Sequence, residues 1–142
     1  MNTPESIQRY PLAWPIGWRR SHASAAGRFS SKSPSAGGSF SYRKEVSRQD
    51  ALYRLEAQFD RLGASDPVLS SNLPLRVSGA IRLDGVEPVD SGVAVYFRFK
   101  GRATVLACDR YTRVAQNIAA IAAHIDALRR IGALGELCGR MR

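Results

Sequence analysis

The sequence predicts an α+β fold: a small antiparallel sheet with a central β-hairpin and two flanking helices, preceded by a flexible basic N-terminal arm. Residues 47–62 and 112–131 repeat apolar side chains every three or four positions, which is the helical period. Between them, residues 93–108 alternate in character on either side of a Lys-Gly pair, which is typical of a hairpin. Residues 1–44 are basic and show no such period.

Positive charge is concentrated in the first third of the chain. The 142 residues include 21 Lys and Arg against 12 Asp and Glu, a formal net charge of +9. Residues 1–44 hold seven of these cations and one acid, so they account for +6. Residues 21–42 are also rich in Ser, Gly and Ala, a composition that buries too little apolar surface to offset its ordering entropy. We therefore predict a flexible arm over 1–44 and a compact domain over 45–142.

The arm opens with an aromatic stretch, residues 10–18, which contains two tryptophans and two prolines. Trp14 and Trp18 are costly to leave in water. They either fold back on the domain as a clasp, the interpretation we favour, or form a stacking platform for single-stranded nucleic acid.

The first helix is predicted from Ser47 to Leu62, with Ser47 as its N-cap and Gly63 as its stop. Its apolar residues fall on one face, so the charged ones should share the solvated face. That charged set is Arg48, Asp50, Arg54, Glu56, Asp60 and Arg61.

Strands are predicted over Val68–Ser71 and, after a loop at residues 72–74, over Leu75–Leu83. The strongest signal is the hairpin of 93–99 and 102–108, whose two-residue turn places Val95 opposite Leu106. Its basic tip either binds an anion or is simply solvated.

The second helix is predicted from Thr112 to Ile131. Val114, Ile118 and Ile121 belong to its apolar seam. Thr112 or Asp109 can cap its start, and Gly132 ends it.

Several classes of chemistry find no support in the sequence. His22, Cys108, His124 and Cys138 lack the paired spacing of a zinc site, and no phosphate-binding glycine loop occurs. Cys108 and His124 could form a nucleophile pair, but a cysteine at a sheet end is typical of a small buried apolar residue. We expect a non-enzymatic protein without metal or cofactor.

The sequence also shows no membrane-spanning or secretory signal. No apolar run approaches the roughly 18–20 residues that span a bilayer, and the first residues do not resemble a secretory signal. We expect a cytoplasmic protein without a membrane partner.

Polar residues flank the predicted strand ends, where binding sites often gather. They can close turns and cap helices, or they can hold a phosphate or the backbone of a partner. This set is Ser70, Ser71, Asn72, Arg76, Asp90, Asp109, Arg110 and Tyr111.

Four groups of motifs, at residues 11–19, 70–76, 90–97 and 101–117, resemble a family of small uncharacterised bacterial and phage proteins. The resemblance covers about residues 10–131 and rests on Pro-Leu-Ala-Trp-Pro-Ile-Gly-Trp-Arg, Ser-Ser-Asn-Leu-Pro-Leu-Arg, Asp-Ser-Gly-Val-Ala-Val-Tyr-Phe, Gly-Arg, Ala-Cys-Asp-Arg-Tyr and Asn117. Many members of this family carry a C-terminal J domain. The present sequence contains no His-Pro-Asp tripeptide, which a J domain needs to stimulate an Hsp70, so co-chaperone activity is not expected. The family occurs in mobile elements, and the resemblance therefore implies a protein of a phage or other mobile element.

Charge and resemblance together predict an accessory protein of a phage or other mobile element that binds nucleic acid or a nucleoprotein complex. The alternative is an anti-CRISPR-like inhibitor that binds a host defence protein. In either case the expected contact residues are Trp14, Trp18, Arg19, Arg20, Arg28, Lys32, Arg43, Lys44, Arg76, Arg98, Lys100, Arg102 and Arg110.

Overall fold

The computed structural model describes residues 7–21, 25–33 and 42–132, and it confirms the α+β class. The elements are β1 (Ser30–Ser33), β2 (Tyr42–Glu45), α1 (Arg48–Leu62), β3 (Ser65–Ser71), β4 (Val93–Phe99), β5 (Arg102–Cys108) and α2 (Val114–Arg130). Strands β3, β4 and β5 form an antiparallel sheet in that order, and β1 pairs with β2. No helix in these ranges is long and apolar enough to cross a membrane.

Helix α1 begins and ends as its capping residues predict. The Ser47 side chain accepts a hydrogen bond from the backbone N–H of Asp50 at 3.1 Å. Gly63 adopts a left-handed φ of 73° and donates to the carbonyl oxygen of Phe59. These bonds satisfy backbone groups that the ends of a helix would otherwise leave unpaired.

The expectation that Arg48 is solvated was wrong, because only 7% of the residue is exposed. Its guanidinium group donates to the carbonyl oxygen of Asp84 at 2.6 Å and to Glu87 at 3.4 Å, and it reaches three further loop carbonyls. A guanidinium has five donors, so a cage of acceptors can satisfy it away from water. The result is a loop, residues 72–92, that is tied to the start of α1.

The central hairpin has the predicted register. Val95 pairs with Leu106, and Phe99 with Arg102. Lys100 and Gly101 both have positive φ, 51° and 78°, as the tight turn of a twisted hairpin requires. Strand β3 pairs with β4 and begins at Ser65, three residues before its predicted start at Val68.

The predicted strand over Leu75–Leu83 was wrong. This segment contains only an isolated bridge between Leu75 and Ile81. A tight turn closes between them, in which Gly79 donates to the carbonyl oxygen of Arg76 at 2.8 Å. Gly79 has a φ of 89°, a conformation that suits glycine in a turn and interrupts a strand.

Helix α2 begins at Val114, and neither Thr112 nor Asp109 caps it. The cap comes instead from a distant part of the chain, because the Glu87 carboxylate accepts from the Val114 N–H at 3.1 Å. Negative charge at this end also complements the helix dipole. Gly132 follows the helix with a φ of 69°, as predicted.

The hydrophobic core lies between the sheet and the two helices. Val93, Val95 and Phe97 of β4 are completely buried on this side, against Leu55 of α1 and Ile118 of α2. Alternate residues of the same strand point to the opposite face, as the pleat dictates.

That opposite face is covered by the N-terminal segment, which we define as residues 7–21. Ile7 packs against Ala94 and Tyr96 in a second apolar cluster. The Ala13 N–H donates to the Ser70 hydroxyl at 2.7 Å, and the Tyr96 hydroxyl donates to the Ala13 carbonyl oxygen at 2.7 Å. This part of the predicted flexible arm is therefore packed on the sheet, because the face beneath it is apolar and needs cover.

Strand β2 also crosses the predicted division at residue 44. It pairs with β1 in antiparallel register, with Glu45 opposite Ser30 and Tyr42 opposite Ser33. The remainder of the predicted arm, at residues 1–6, 22–24 and 34–41, lies outside the described residues. The same holds for His22 and Cys138.

Candidate functional site

A cleft of about 480 Å³ opens where the end of β5 and the middle of α2 meet Trp18, Arg28 and Phe29. Three aromatic residues line it (Trp18, Phe29 and Tyr111), together with two arginines, Arg28 and Arg110. Helix α2 contributes Ala120, Ala123 and His124, and β5 contributes Cys108. We refer to this feature as the cleft.

The aromatic side chains are fixed by packing. The rings of Phe29 and Tyr111 meet edge to face, with centroids 5.9 Å apart and an interplanar angle of 89°. Trp18 and Phe29 are half-buried and pack against the main core. The cleft is thus a preformed apolar surface.

Gln116 holds Phe29 in place through a two-way hydrogen bond. Its carbonyl oxygen accepts from the Phe29 N–H at 2.8 Å, and its amide nitrogen donates to the Phe29 carbonyl oxygen at 2.8 Å. Gly27 passes so close that a Cβ there would lie 2.1 Å from Gln116 Cδ. A glycine is therefore required where this segment crosses α2.

Asn117 holds Tyr111 in a similar way. Its oxygen accepts from the Tyr111 N–H at 3.0 Å, and its nitrogen donates to the Tyr111 and Ser91 carbonyl oxygens at 3.0 and 2.8 Å. Both Gln116 and Asn117 are completely buried. Neither residue was predicted to belong to a binding site, and Asn117 entered only through the family resemblance, although two adjacent amides in an otherwise apolar helix segment indicate a buried polar network.

The cleft is electropositive. Arg28 and Arg110 are exposed, neither takes part in an ion pair among the described residues, and no lining residue is acidic. The Arg28 guanidinium lies 5.5 Å from the centre of the Phe29 ring. Two fixed aromatic walls beside two available guanidinium groups suit a ligand that is both flat and anionic.

Asp109, next to Arg110 in the chain, does not line the cleft, and its charge is balanced by Arg20. It accepts from Arg20 Nε at 2.8 Å and from the Ser21 N–H at 2.9 Å. Burial alone would raise the pKa of Asp109, but the hydrogen bonds from Ser21 and Arg20 outweigh it and lower that pKa.

Arg20 and Trp14 are committed within the fold. The Arg20 guanidinium also pairs with Asp90 and lies 4.5 Å from the centre of the Trp14 ring. Trp14 Nε1 donates to the carbonyl oxygen of Trp18 at 2.9 Å. For Trp14 the structure agrees with the clasp interpretation, whereas Trp18 both packs on the core and lines the cleft.

The other predicted contact residues with described side chains lie outside the cleft. Arg19, Lys44, Arg76 and Arg102 are exposed, and the Lys100 ammonium lies 5.3 Å from the Phe99 ring centre. Arg98 is 3.9 Å from the Asp66 carboxylate. Lys32 and Arg43 occupy paired positions of β1 and β2. Of the predicted contact residues whose side chains the structure describes, only Trp18, Arg28 and Arg110 line the cleft. Tyr111, which was expected among the strand-end polar residues, and His124, which was considered only as a partner of Cys108, also line it, whereas Phe29 was not predicted.

The strand-end polar residues mostly serve the fold. Ser70 accepts from Ala13 and donates to the Gln8 carbonyl oxygen at 2.7 Å, and Asn72 accepts from the Leu12 N–H at 3.0 Å. The backbone that they hold is thus that of the protein's own N-terminal segment.

Cys108 lies in the cleft with His124, yet its environment favours the thiol. Burial raises the pKa of Cys108, and its Sγ donates to Asn117 Oδ1 at 3.3 Å. A nucleophilic cysteine needs the thiolate form, which this environment disfavours. Among the described residues, no group of His, Cys, Asp and Glu side chains is placed to hold a metal ion.

Comparison of the chain with protein-family models, with curated proteins and with solved structures finds no match.

Proposed function

We propose that this protein is a non-enzymatic accessory protein that binds nucleic acid through the cleft and its neighbouring cations. One observation supports this most strongly: the exposed pair Arg28 and Arg110 borders an aromatic cleft that has no acidic lining residue. Guanidinium groups bind phosphate oxygens two at a time, and aromatic faces stack on bases.

Exposed cations outside the cleft would add contacts to phosphates that do not depend on the base sequence of the nucleic acid. Arg19 follows Trp18 in the chain, and the hairpin tip presents Lys100 and Arg102. The net charge of +9 favours association with a polyanion over the whole surface. Because each neutralised phosphate releases counterions, such binding weakens steeply as salt rises.

The test is a fluorescence anisotropy titration of a labelled oligonucleotide between about 50 and 200 mM salt. Arg28→Gln and Arg110→Gln should each lower the slope of log K against log salt by about 0.7–0.9, the value of one phosphate contact. Arg61→Gln removes the same charge from an exposed position on α1 and should leave the slope nearer to that of the wild type. Affinity that does not change with salt, or that falls equally in all three variants, would contradict the proposal.

A second candidate function is inhibition of a host defence protein, consistent with the resemblance to phage proteins. The loop at residues 72–92 favours it, since Val77, Val86 and Val89 are each at least 90% exposed while Arg48 anchors the loop. Exposed apolar side chains on an anchored loop are suited to a protein partner. A host protein retained by the immobilised chain after nuclease treatment, and released by Val86→Asp and Val89→Asp, would support this candidate over nucleic-acid binding.

A further inference from the structure

We propose that the cleft holds one unpaired base together with its adjoining phosphate, so that the protein prefers single-stranded to double-stranded nucleic acid. This inference rests on the proposed function and specifies its ligand. It also assigns separate tasks to the two kinds of cleft residue, the aromatic walls and the arginines.

The size of the cleft fits this ligand. Its volume of about 480 Å³ lies in the range of small-ligand pockets, and it can take a nucleotide but not a duplex. Ala120 and Ala123 face it from α2, and their small side chains leave that volume open. Ala123 is exposed, so the space beside it is accessible to a ligand.

The chemistry of the walls distinguishes a base from a bare anion. Inorganic phosphate would need only Arg28 and Arg110, and the apolar surface of Trp18 and Phe29 would remain wet. An unpaired base offers a flat face to these rings while its phosphate reaches the guanidinium groups. In a duplex the base faces are stacked on one another, so only the phosphates are available.

The cleft is also organised before the ligand arrives. The Phe29 and Tyr111 backbones are fixed by Gln116 and Asn117, both of which are completely buried. Binding therefore requires little ordering of the walls, which favours affinity for a single nucleotide unit.

The deciding variant is Ala123→Phe, which fills the cleft without changing any charge. The matched control is Ala127→Phe, at an exposed position one helical turn further along α2 that does not line the cleft. The probes are a fluorescein-labelled single strand of about 12 nucleotides, made as DNA and as RNA, and the corresponding DNA duplex. Urea denaturation of each variant shows whether the full-length protein remains folded.

We expect the wild type to bind the single strand more tightly than the duplex at equal salt. Ala123→Phe should weaken single-strand binding by about tenfold or more, the effect of losing one base stack, and leave duplex binding unchanged. Ala127→Phe should leave both unchanged. Comparing the affinity for the DNA strand with that for the RNA strand shows which nucleic acid supplies the base and phosphate that the cleft binds.

Protection of Cys108 gives an independent readout. In a Cys138→Ser background, the single strand should slow alkylation of the Cys108 thiol, which lines the cleft, and the duplex at equal occupancy should not. Equal protection by both probes, or equal single-strand affinity of the two phenylalanine variants, would overturn the inference. If salt-dependent binding persists in that case, the proposed function stands and only the role of the cleft is lost; if no probe binds, the proposed function itself fails.

Discussion

Among single residues, Asp109 links the N-terminal segment to the end of β5. Its side chain is 5% exposed, and it accepts hydrogen bonds from the Arg20 guanidinium and from the backbone and hydroxyl of Ser21. A buried carboxylate is tolerated when it is paired and hydrogen-bonded, and both conditions hold here. The hydrogen bonds from Arg20 and Ser21 also position the chain that follows Trp18, so Asp109 supports the cleft without lining it.

Because the pKa of Asp109 is lowered in the folded protein, its contribution to stability is present above the pKa of the unfolded chain, about 3.9. That contribution is lost as pH falls through the lower, folded pKa. We expect Asp109→Asn to reduce the free energy of unfolding at pH 7 by about 1–3 kcal/mol and to diminish the loss of stability that the wild type shows below about pH 4.

Urea denaturation at neutral and acidic pH measures both effects. Asp84→Asn serves as the control, because that side chain is 77% exposed and its neutralisation should change the free energy of unfolding little at either pH. A pH dependence in Asp109→Asn equal to that of the wild type would show that the carboxylate is not stabilised by folding.

At the level of elements, the sequence predicted those helices and strands that are determined by local residue patterns. Both helices, the hairpin and its register follow from residue spacing and from the Lys100-Gly101 turn. The loop at 72–92 could not be predicted, because it is organised by Arg48 from more than thirty positions away and by the Glu87 cap on α2. Contacts of this kind have no signature in a short window of sequence.

The cleft was predictable only in part, because its residue types can be read from the sequence but the long-range contacts that assemble them cannot. Trp18, Arg28 and Arg110 were expected at a binding surface from their chemistry alone. Their assembly with Phe29 and Tyr111 depends on Gln116, which joins the distant residue Phe29 to α2, and on Asn117, which fixes Tyr111 just before the helix. Composition identified the groups, but only the fold shows which of them share a site.

The attachment of the segment at 25–29 to α2 gives an element-scale prediction. Gln116→Met keeps the side-chain volume but removes both bonds to the Phe29 backbone. Leaving these backbone groups unpaired should lower the free energy of unfolding by about 1–3 kcal/mol and weaken nucleic-acid binding by loosening the Phe29 wall.

Gln58→Met is the matched control for this prediction. Gln58 is also buried, but its carbonyl oxygen has no partner among the described residues and its amide makes one long bond to Asp126, 3.4 Å. Its replacement should cost less than that of Gln116 in urea denaturation and leave binding unchanged. Equal losses in the two variants would mean that the Phe29 bonds contribute nothing specific.

Considered as a whole, the molecule has three layers: the helices, the sheet, and the N-terminal segment on the far face of the sheet. The third layer joins the basic N-terminal region to the domain. It leads into Trp18, which packs on the main core, so that the neighbouring Arg19 extends from a fixed support rather than from a free chain. A fixed support reduces the entropy lost when these residues bind a ligand.

The third layer predicts that two isoleucines of the same segment contribute very differently to the free energy of unfolding. Ile7 is 7% exposed and packs on Ala94 and Tyr96, whereas Ile16 is 92% exposed. Ile7→Ala should lower the free energy of unfolding by about 2 kcal/mol, the low end for a buried isoleucine, and Ile16→Ala should change it by less than about 0.5 kcal/mol. If urea denaturation finds no difference between them, the segment does not act as a layer in solution. Its charges would then extend from a free chain, and binding would lose the cleft's contribution from Trp18 while keeping its steep dependence on salt.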